Sequence, residues 1–276
     1  MKIVQTIAEM RQLRKQMTGT VGFVPTMGYL HEGHLSLVKR TKDENLAVIV
    51  SIFVNPTQFG PREDFKSYPR DAKRDLGLLE PYADIVFMPA DKDMYPEGYA
   101  SWVEVKGITE VLEGVIRPGH FLGVTTIVNK LFNIVEPTRA YFGQKDAQQV
   151  AVIKKMVKDL NMNVEIVVCP TVREQDGLAM SSRNTYLTPE QKRGATVLYK
   201  SLLLAKDLVT NGETDAGVVR QEMKFLIEKE SWAKIEYISV ADNETLKEIH
   251  RIKLPALVSL AVKFGKTRLI DNIVLE

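Results

Sequence analysis

The sequence predicts an α/β fold, a doubly wound parallel sheet followed by a second, smaller α+β domain, on three observations. Short β-branched runs alternate with amphipathic stretches through residues 1–171. Polar turns that carry three of the four histidines fall at the ends of those runs or at helix starts. Beyond about Thr171 the alternation gives way to long polar helices and then two strands.

The strands are read at 21–25, 46–54, 83–88, 139–142 and 164–168, each a short apolar run bounded by turn residues. Helices are read near 34–42, 70–79, 124–135 and 147–160, where apolar residues recur three or four apart. Strand, helix, strand in repetition means parallel pairing through crossovers, a Rossmann-like sheet whose ligands bind outside the carboxyl ends of the strands. Residues 172–276 form the second domain, with helices near 189–210 and 215–229 and strands at 235–240 and 256–264. Neither a Gly-x-Gly-x-x-Gly fingerprint nor a Walker lysine follows the first strand.

The formal net charge of +2 offers no broad basic surface, so neither nucleic acid nor membrane is expected as a partner. One cysteine, Cys169, forms no internal disulfide and fits a reducing, cytoplasmic setting. No apolar run has membrane-spanning length, and Met1 to Gln5 has no signal-peptide h-region.

The densest chemistry lies in the turn after the first strand: Met27, Gly28, Tyr29, Leu30, His31, Glu32, Gly33 and His34. The opening amides of a helix lack intrahelical partners and carry the positive end of its dipole, which suits a polyphosphate. The two imidazoles add donors for oxygen that gains negative charge. The bland alternative is a pair of structural histidines at a helix start. His31, His34 and His120 all fall in glycine-containing turns, whereas His250 is read into an ordinary polar helix. A zinc site is disfavoured, because the spacing is not His-Glu-x-x-His and no third ligand is near.

Further segments end or follow strands and converge on the same sheet edge. Asn55 and Gln58 offer neutral hydrogen bonds to a hydroxyl or carboxylate. Arg117 to Gly123 opens a helix with His120. Gly143, Gln144, Lys145 and Asp146 follow a strand, with Gln149 one turn on; Lys145 supplies a point charge, and Asp146 accepts from ribose or helps hold hydrated Mg2+. Met180, Ser181, Ser182 and Arg183 form an anion cradle. Each segment alone is also readable as an ordinary turn, helix start or polar hinge.

His-Glu-Gly-His at 31–34 with Met-Ser-Ser-Arg at 180–183 resembles the paired signatures of the nucleotidyltransferase superfamily that includes class I aminoacyl-tRNA synthetases. Five longer strings resemble the pantothenate synthetase family: Pro-Thr-Met-Gly-Tyr-Leu-His-Glu-Gly-His at 25–34, Phe-Val-Asn-Pro-Thr-Gln-Phe-Gly at 53–60, Arg-Pro-Gly-His-Phe at 117–121, Tyr-Phe-Gly-Gln-Lys-Asp at 141–146 and Gly-Leu-Ala-Met-Ser-Ser-Arg-Asn at 177–184. The resemblance implies an ATP- and Mg2+-dependent ligation of pantoate to β-alanine through a pantoyl adenylate, in a cytoplasmic homodimer. It further implies that Met27 to His34 line the ATP site, with His34 the principal donor and His31 its assistant. Lys145, Met180, Ser181, Ser182 and Arg183 hold the phosphates, and Gly143, Gln144, Asp146 and Val172 stand on the nucleotide side. Asn55, Gln58, His120 and Gln149 bind substrate, with Gln58 also near β-alanine, and the second domain closes over ATP through the Arg183 loop. Gln144 and Leu122 depart from the residues common in relatives. The alternatives are a nucleotidyltransferase acting on a phosphorylated acceptor and a nucleotide-sensing or RNA-binding module that lost the reaction.

Overall fold

The computed structural model describes residues 1–61 and 63–276. The chain divides into two units, the first comprising Met1–Gly143 and Gln149–Pro170, the second Gln144–Gln148 and Thr171–Glu276.

Phe23 and Val24 show why the first unit is layered. Successive residues of a strand face opposite sides of a sheet, and both of these are fully buried. A strand buried on both faces belongs inside a parallel sheet covered by helices on either side. In chain order the elements are β1 (Lys2–Val4), α1 (Ile7–Gln16), β2 (Val21–Thr26), α2 (Glu32–Glu44), β3 (Ala47–Ile52), α3 (Ala72–Leu79), β4 (Ile85–Phe87), α4 (Asp91–Met94), α5 (Glu113–Ile116), α6 (His120–Val135), β5 (Arg139–Gly143), α7 (Ala147–Asp159) and β6 (Glu165–Cys169).

These strands pair in parallel throughout, in the order β1-β4-β3-β2-β5-β6. Phe23, Ile49 and Phe87 pack on one face with Met10 of α1, Val124 and Leu131 of α6 and Ile153 of α7. Val24, Val50 and Val86 pack on the other with Leu35 and Val38 of α2 and Leu79 of α3. Strand order reverses between β2 and β5, so their carboxyl ends open the crevice in which a doubly wound sheet binds ligands. Gly22 lets α2 lie close on β2: a Cβ there would sit 2.3 Å from Thr41 Cγ2 and 2.6 Å from Asn45 Nδ2.

The second unit contains α8 (Pro189–Ala195), α9 (Val197–Thr210), α10 (Ala216–Glu228) and an antiparallel sheet of β7 (Ala233–Asp242), β8 (Ala256–Phe264) and β9 (Thr267–Leu275), in the order β7-β8-β9. β8 is the central strand, buried except at Lys263, and its Val258, Leu260 and Val262 meet Leu198 and Leu202 of α9 and Val219 and Met223 of α10.

The strands read from the sequence at 21–25, 46–54, 83–88, 139–142, 164–168, 235–240 and 256–264 are all present, within a few residues of their expected ends. The differences have local causes. β1 has only three residues, too few to show a period, and α1 went unread with it. The helix expected from residue 124 begins at His120, because left-handed Gly119 (φ +81°) already turns the chain into it. The helix expected over 189–210 is two, meeting at Thr196, whose Oγ1 donates to the Arg193 carbonyl at 2.8 Å. His250 is not helical; it lies in the connection between β7 and β8. β9 went unread because Arg268, Asp271 and Asn272 break its apolar pattern.

Candidate active site

The predicted site residues fall into two groups, one in each unit. In the first unit, β2 ends at Thr26, whose Oγ1 donates to the Ser51 carbonyl at 2.7 Å and accepts the Gly28 amide at 3.2 Å. Gly28 (φ +81°) and Tyr29 (φ +50°) are then left-handed in succession, a conformation that costs free energy at a tyrosine and needs outside support. Asp75, in the first turn of α3, supplies it. Its Oδ2 accepts the Tyr29 amide at 2.7 Å and its Oδ1 the Leu30 amide at 2.8 Å. Burial raises the Asp75 carboxyl above its ordinary value, against the pull of those two amides.

The turn delivers His31 to the N-cap of α2. Its Nδ1 accepts the Gly33 amide at 3.1 Å, and His34 Nδ1 reaches back to accept the His31 amide at 3.3 Å. The rings lie 4.0 Å apart at 37°. Since each Nδ1 accepts an amide proton, each neutral ring carries its own proton on Nε2. Both histidines are thereby fixed as Nε2–H donors at the positive end of a helix.

Gln58 sits in a 3-10 turn (Pro56–Gln58), and its Nε2 donates to Met27 Sδ at 3.3 Å, joining the two predicted segments. Asn55 is occupied internally: Nδ2 donates to Gln58 Oε1 at 3.0 Å and to the Gly123 carbonyl at 3.1 Å. Its Oδ1 accepts from Thr57 at 2.9 Å and from the Tyr95 hydroxyl at 2.8 Å. Burial pushes the Tyr95 phenol up to about 12, so it remains a donor. Asn55 therefore shapes the site by aiming Gln58. Gly123 makes room for the same turn, since a Cβ would lie 2.5 Å from the Thr57 carbonyl oxygen.

His120 is likewise occupied. Its Nδ1 lies 2.8 Å from the Gln58 carbonyl, which accepts only, so that nitrogen carries the proton. Its Nε2 accepts from Arg117 Nη1 at 3.0 Å, and Arg117 is held at 2.7 and 2.8 Å by the two oxygens of Glu63. Burial would raise the Glu63 carboxyl, but the Arg117 guanidinium holds it below the usual range. Burial and Arg117 push the His120 imidazole down to about 4, against the Gln58 carbonyl and the charges of Glu63 and Glu113. His120 is a neutral strut that fixes the main chain of Gln58. Gly143 closes β5, and Gln149 lies on α7.

In the second unit, residues 172–180 form a tight hairpin: Arg173 bridges Ala179, and Met180 donates its amide to the Val172 carbonyl at 3.0 Å. Left-handed Gly177 (φ +92°) makes the turn. The hairpin leads to Ser181, whose Oγ accepts the Arg183 amide at 3.3 Å and starts a 3-10 turn (Ser182–Tyr186). Asn184 Nδ2 pins that turn to Glu174 Oε1 at 3.1 Å and to the Ala179 carbonyl at 3.0 Å. Gln144, Lys145 and Asp146 form another 3-10 turn, with Lys145 Nζ 3.6 Å from Asp146 Oδ1.

A family profile described as pantoate-beta-alanine ligase matches residues 2–274. The chain belongs to the pantoate-beta-alanine ligase family. Pantothenate synthetases of Acetivibrio thermocellus and Herpetosiphon aurantiacus are 59% and 57% identical to it, each aligned over 100% of both chains. The crystal structure of pantothenate synthetase from Thermus thermophilus superposes with a TM-score of 0.95 at 46% identity, covering 99% of both chains. That of the pantoate-beta-alanine ligase from Francisella tularensis, complexed with beta-gamma ATP and beta-alanine, superposes at 0.82 and 40% identity, over 99% of this chain and 97% of that one.

For this member of the ligase family, sequence reasoning passed over the supports Asp75, Glu63, Tyr95, Asp271 and Asn272, and it saw Arg117 only as part of a helix-opening turn. An acid on a helix gives no sign of binding a turn 45 residues upstream. Gly123 was read as the end of the Arg117 turn, whereas it lies inside α6.

Two substitutions test these supports. Asp75→Asn leaves one amide of the Tyr29–Leu30 turn facing an NH2 group, at a cost of about 1–3 kcal/mol; denaturant unfolding measures it, and kcat falls with the loosened His31 cap. His120 is neutral when folded, so its contribution to stability is complete above the unfolded value near 6.5 and is lost as pH falls through about 4. The unfolding free energy of His120→Asn, measured from pH 7 to 4, lacks that portion of the acid-side decline.

Proposed function

We propose that the chain condenses pantoate with β-alanine, driven by ATP cleavage, through a pantoyl adenylate. The observation that carries this reading is the family match over residues 2–274, together with the two histidines fixed as Nε2–H donors at the start of α2. A pantoate carboxylate oxygen attacks the α-phosphorus and pyrophosphate leaves. The free amine of β-alanine then attacks the acyl carbon, the C–N bond forms, AMP leaves with the electron pair of the broken C–O bond, and the nitrogen gives up one proton to solvent. A carboxylate is a poor acyl donor, and adenylation supplies the leaving group it lacks.

No covalent nucleophile is needed from the protein, only positioning and charge. His34 Nε2–H, assisted by His31, donates to phosphate oxygen as charge moves onto pyrophosphate. Lys145, Met180, Ser181, Ser182 and Arg183 bind the phosphates; Gly143, Gln144, Asp146 and Val172 attend the nucleotide; Met27 to Gly33 line its site. Gln58 and Gln149 hold pantoate, with Asn55 and His120 acting through Gln58. Neutral amides recognise the hydroxyl and carboxylate groups without a cation to blunt the nucleophile.

Mg2+ fits this donor set, which holds no cluster of three His, Cys, Asp or Glu side chains among the described residues. Magnesium characteristically takes one or two carboxylates plus phosphates and water, and half-exposed Asp146 is the carboxylate at hand. When bound, the ion neutralises phosphate charge.

We also read the chain as a cytoplasmic homodimer, with residues 172–276 closing over ATP. No helix among the described residues is long and apolar enough to cross a membrane. β3 lies inside the sheet between β4 and β2, so of residues 46–54 only Leu46 is exposed, at 77%, and the strand itself offers little apolar surface to a second copy. Exposed Trp102, Val115 and Ile116 offer apolar surface instead. Light scattering is expected to give twice the chain mass, and Val115→Glu with Ile116→Glu to halve it.

The activity is tested by pyrophosphate release from ATP and Mg2+ with pantoate, with and without β-alanine, following AMP and pantothenate by mass. Pantothenate is expected only when the amine is present; release that requires a phosphorylated acceptor overturns the reading. His34→Ala is expected to slow pantoate-dependent release about 100-fold or more, with only the small fall in melting temperature that losing the bond to the His31 amide entails, and Arg183→Ala to slow it comparably.

A further inference from the structure

Asn272 commits its whole side chain to one short segment. Its Nδ2 donates to the Gln144 carbonyl at 3.0 Å and to the Lys145 carbonyl at 2.9 Å, and its Oδ1 accepts from Gln144 Nε2 at 3.0 Å. It is 4% exposed, on β9, 127 residues from Lys145. The residue before it does the same for another segment. Asp271, 2% exposed, binds both Nη atoms of Arg173 at 2.6 and 2.9 Å. Arg173 donates to the Gly177 carbonyl at 3.2 Å and packs 3.9 Å over the Tyr199 ring, so the hairpin leading to Ser181 is anchored at its root. Asp271 Oδ1 also accepts the Asn272 amide at 2.8 Å, which joins the two devices.

We infer that Asn272 is a positioning residue for ATP: with Asp271 it locks the Lys145 turn and the Ser181–Arg183 loop into one phosphate-binding module of the second unit. This rests on the phosphate role proposed above for Lys145. The division of the chain agrees, for Gln144–Gln148 groups with the second unit although it follows β5 of the first. A strand whose only task is packing has no use for two adjacent buried polar side chains. Replacing such groups with apolar residues of similar shape is often neutral or stabilising, so packing alone does not account for this pair. The two bonds that Asn272 Nδ2 donates go to the main chain of Gln144 and Lys145 and the third is to the Gln144 side chain, which leaves the Lys145 ammonium itself unencumbered by Asn272.

The test is a double-mutant cycle on pantoate-dependent pyrophosphate release, with Asn272→Ala, Lys145→Ala and both. Asn272→Ala is expected to reduce kcat/KM for ATP about tenfold while KM for pantoate stays unchanged. In the Lys145→Ala background the same substitution is expected to change it less than about twofold, whereas with His34→Ala the two losses multiply. Full losses that multiply with Lys145→Ala, or equal rises in KM for ATP and pantoate, overturn the positioning role and leave Asn272 as scaffold. Lys145→Ala with normal turnover sinks the phosphate role of Lys145 and the inference with it. Should Asn272→Ala not fold, Asn272→Asp enters the same cycle: it has the same shape but lacks both donors to the Gln144 and Lys145 carbonyls, while still accepting from Gln144. The ATP defect is expected to persist in it, and its absence overturns the proposal.

Discussion

The Leu30 amide is buried at the point where the chain leaves β2, and an N–H without an acceptor there costs about 1–3 kcal/mol. Asp75 answers for it and for the Tyr29 amide together, and by doing so holds a tyrosine in the left-handed region. Only with that turn closed does His31 arrive at the N-cap of α2 and His34 one turn behind it. The tautomers of both rings, the orientation of their Nε2 protons and the packing of α2 on Val24 and Val50 descend from this arrangement. A carboxylate set behind the turn thus governs the geometry of the donors in front of it.

The same division of labour recurs around Gln58. Its main chain is held by His120, its side chain by Asn55, and behind these stand Arg117 with Glu63 and Tyr95 with Thr57. Each of these polar groups answers to another, so the amide is presented in one geometry. Low dielectric strengthens such a network when its members are paired and penalises it when they are not.

What was legible in the sequence was whatever has a period or a short-range signature. Two-faced apolar strands such as 21–25 declare a parallel sheet, and glycine-rich turns beside histidines declare where strands end and helices begin. What was illegible was long-range polar pairing. β9 is a strand by geometry, yet Asp271 and Asn272 stand where alternation calls for apolar residues, and their partners lie 98 and 128 residues away. His120 and Asn55 were visible as polar residues in turns, but nothing in the sequence shows that their polar atoms are engaged by Gln58, Arg117 and Tyr95.

The grouping of Gln144–Gln148 with residues 171–276 has a consequence for dissecting the chain. The covalent order and the spatial order differ: the polypeptide leaves one unit for five residues, returns to it through α7 and β6, and leaves again. A fragment cut at Thr171 would carry β9 with Asn272 buried against nothing, its side chain deprived of all three partners, while the complementary fragment would keep the lysine turn without its brace. Gene fusions, tags and half-chain expression that treat the boundary as a single cut would divide a hydrogen-bonded whole.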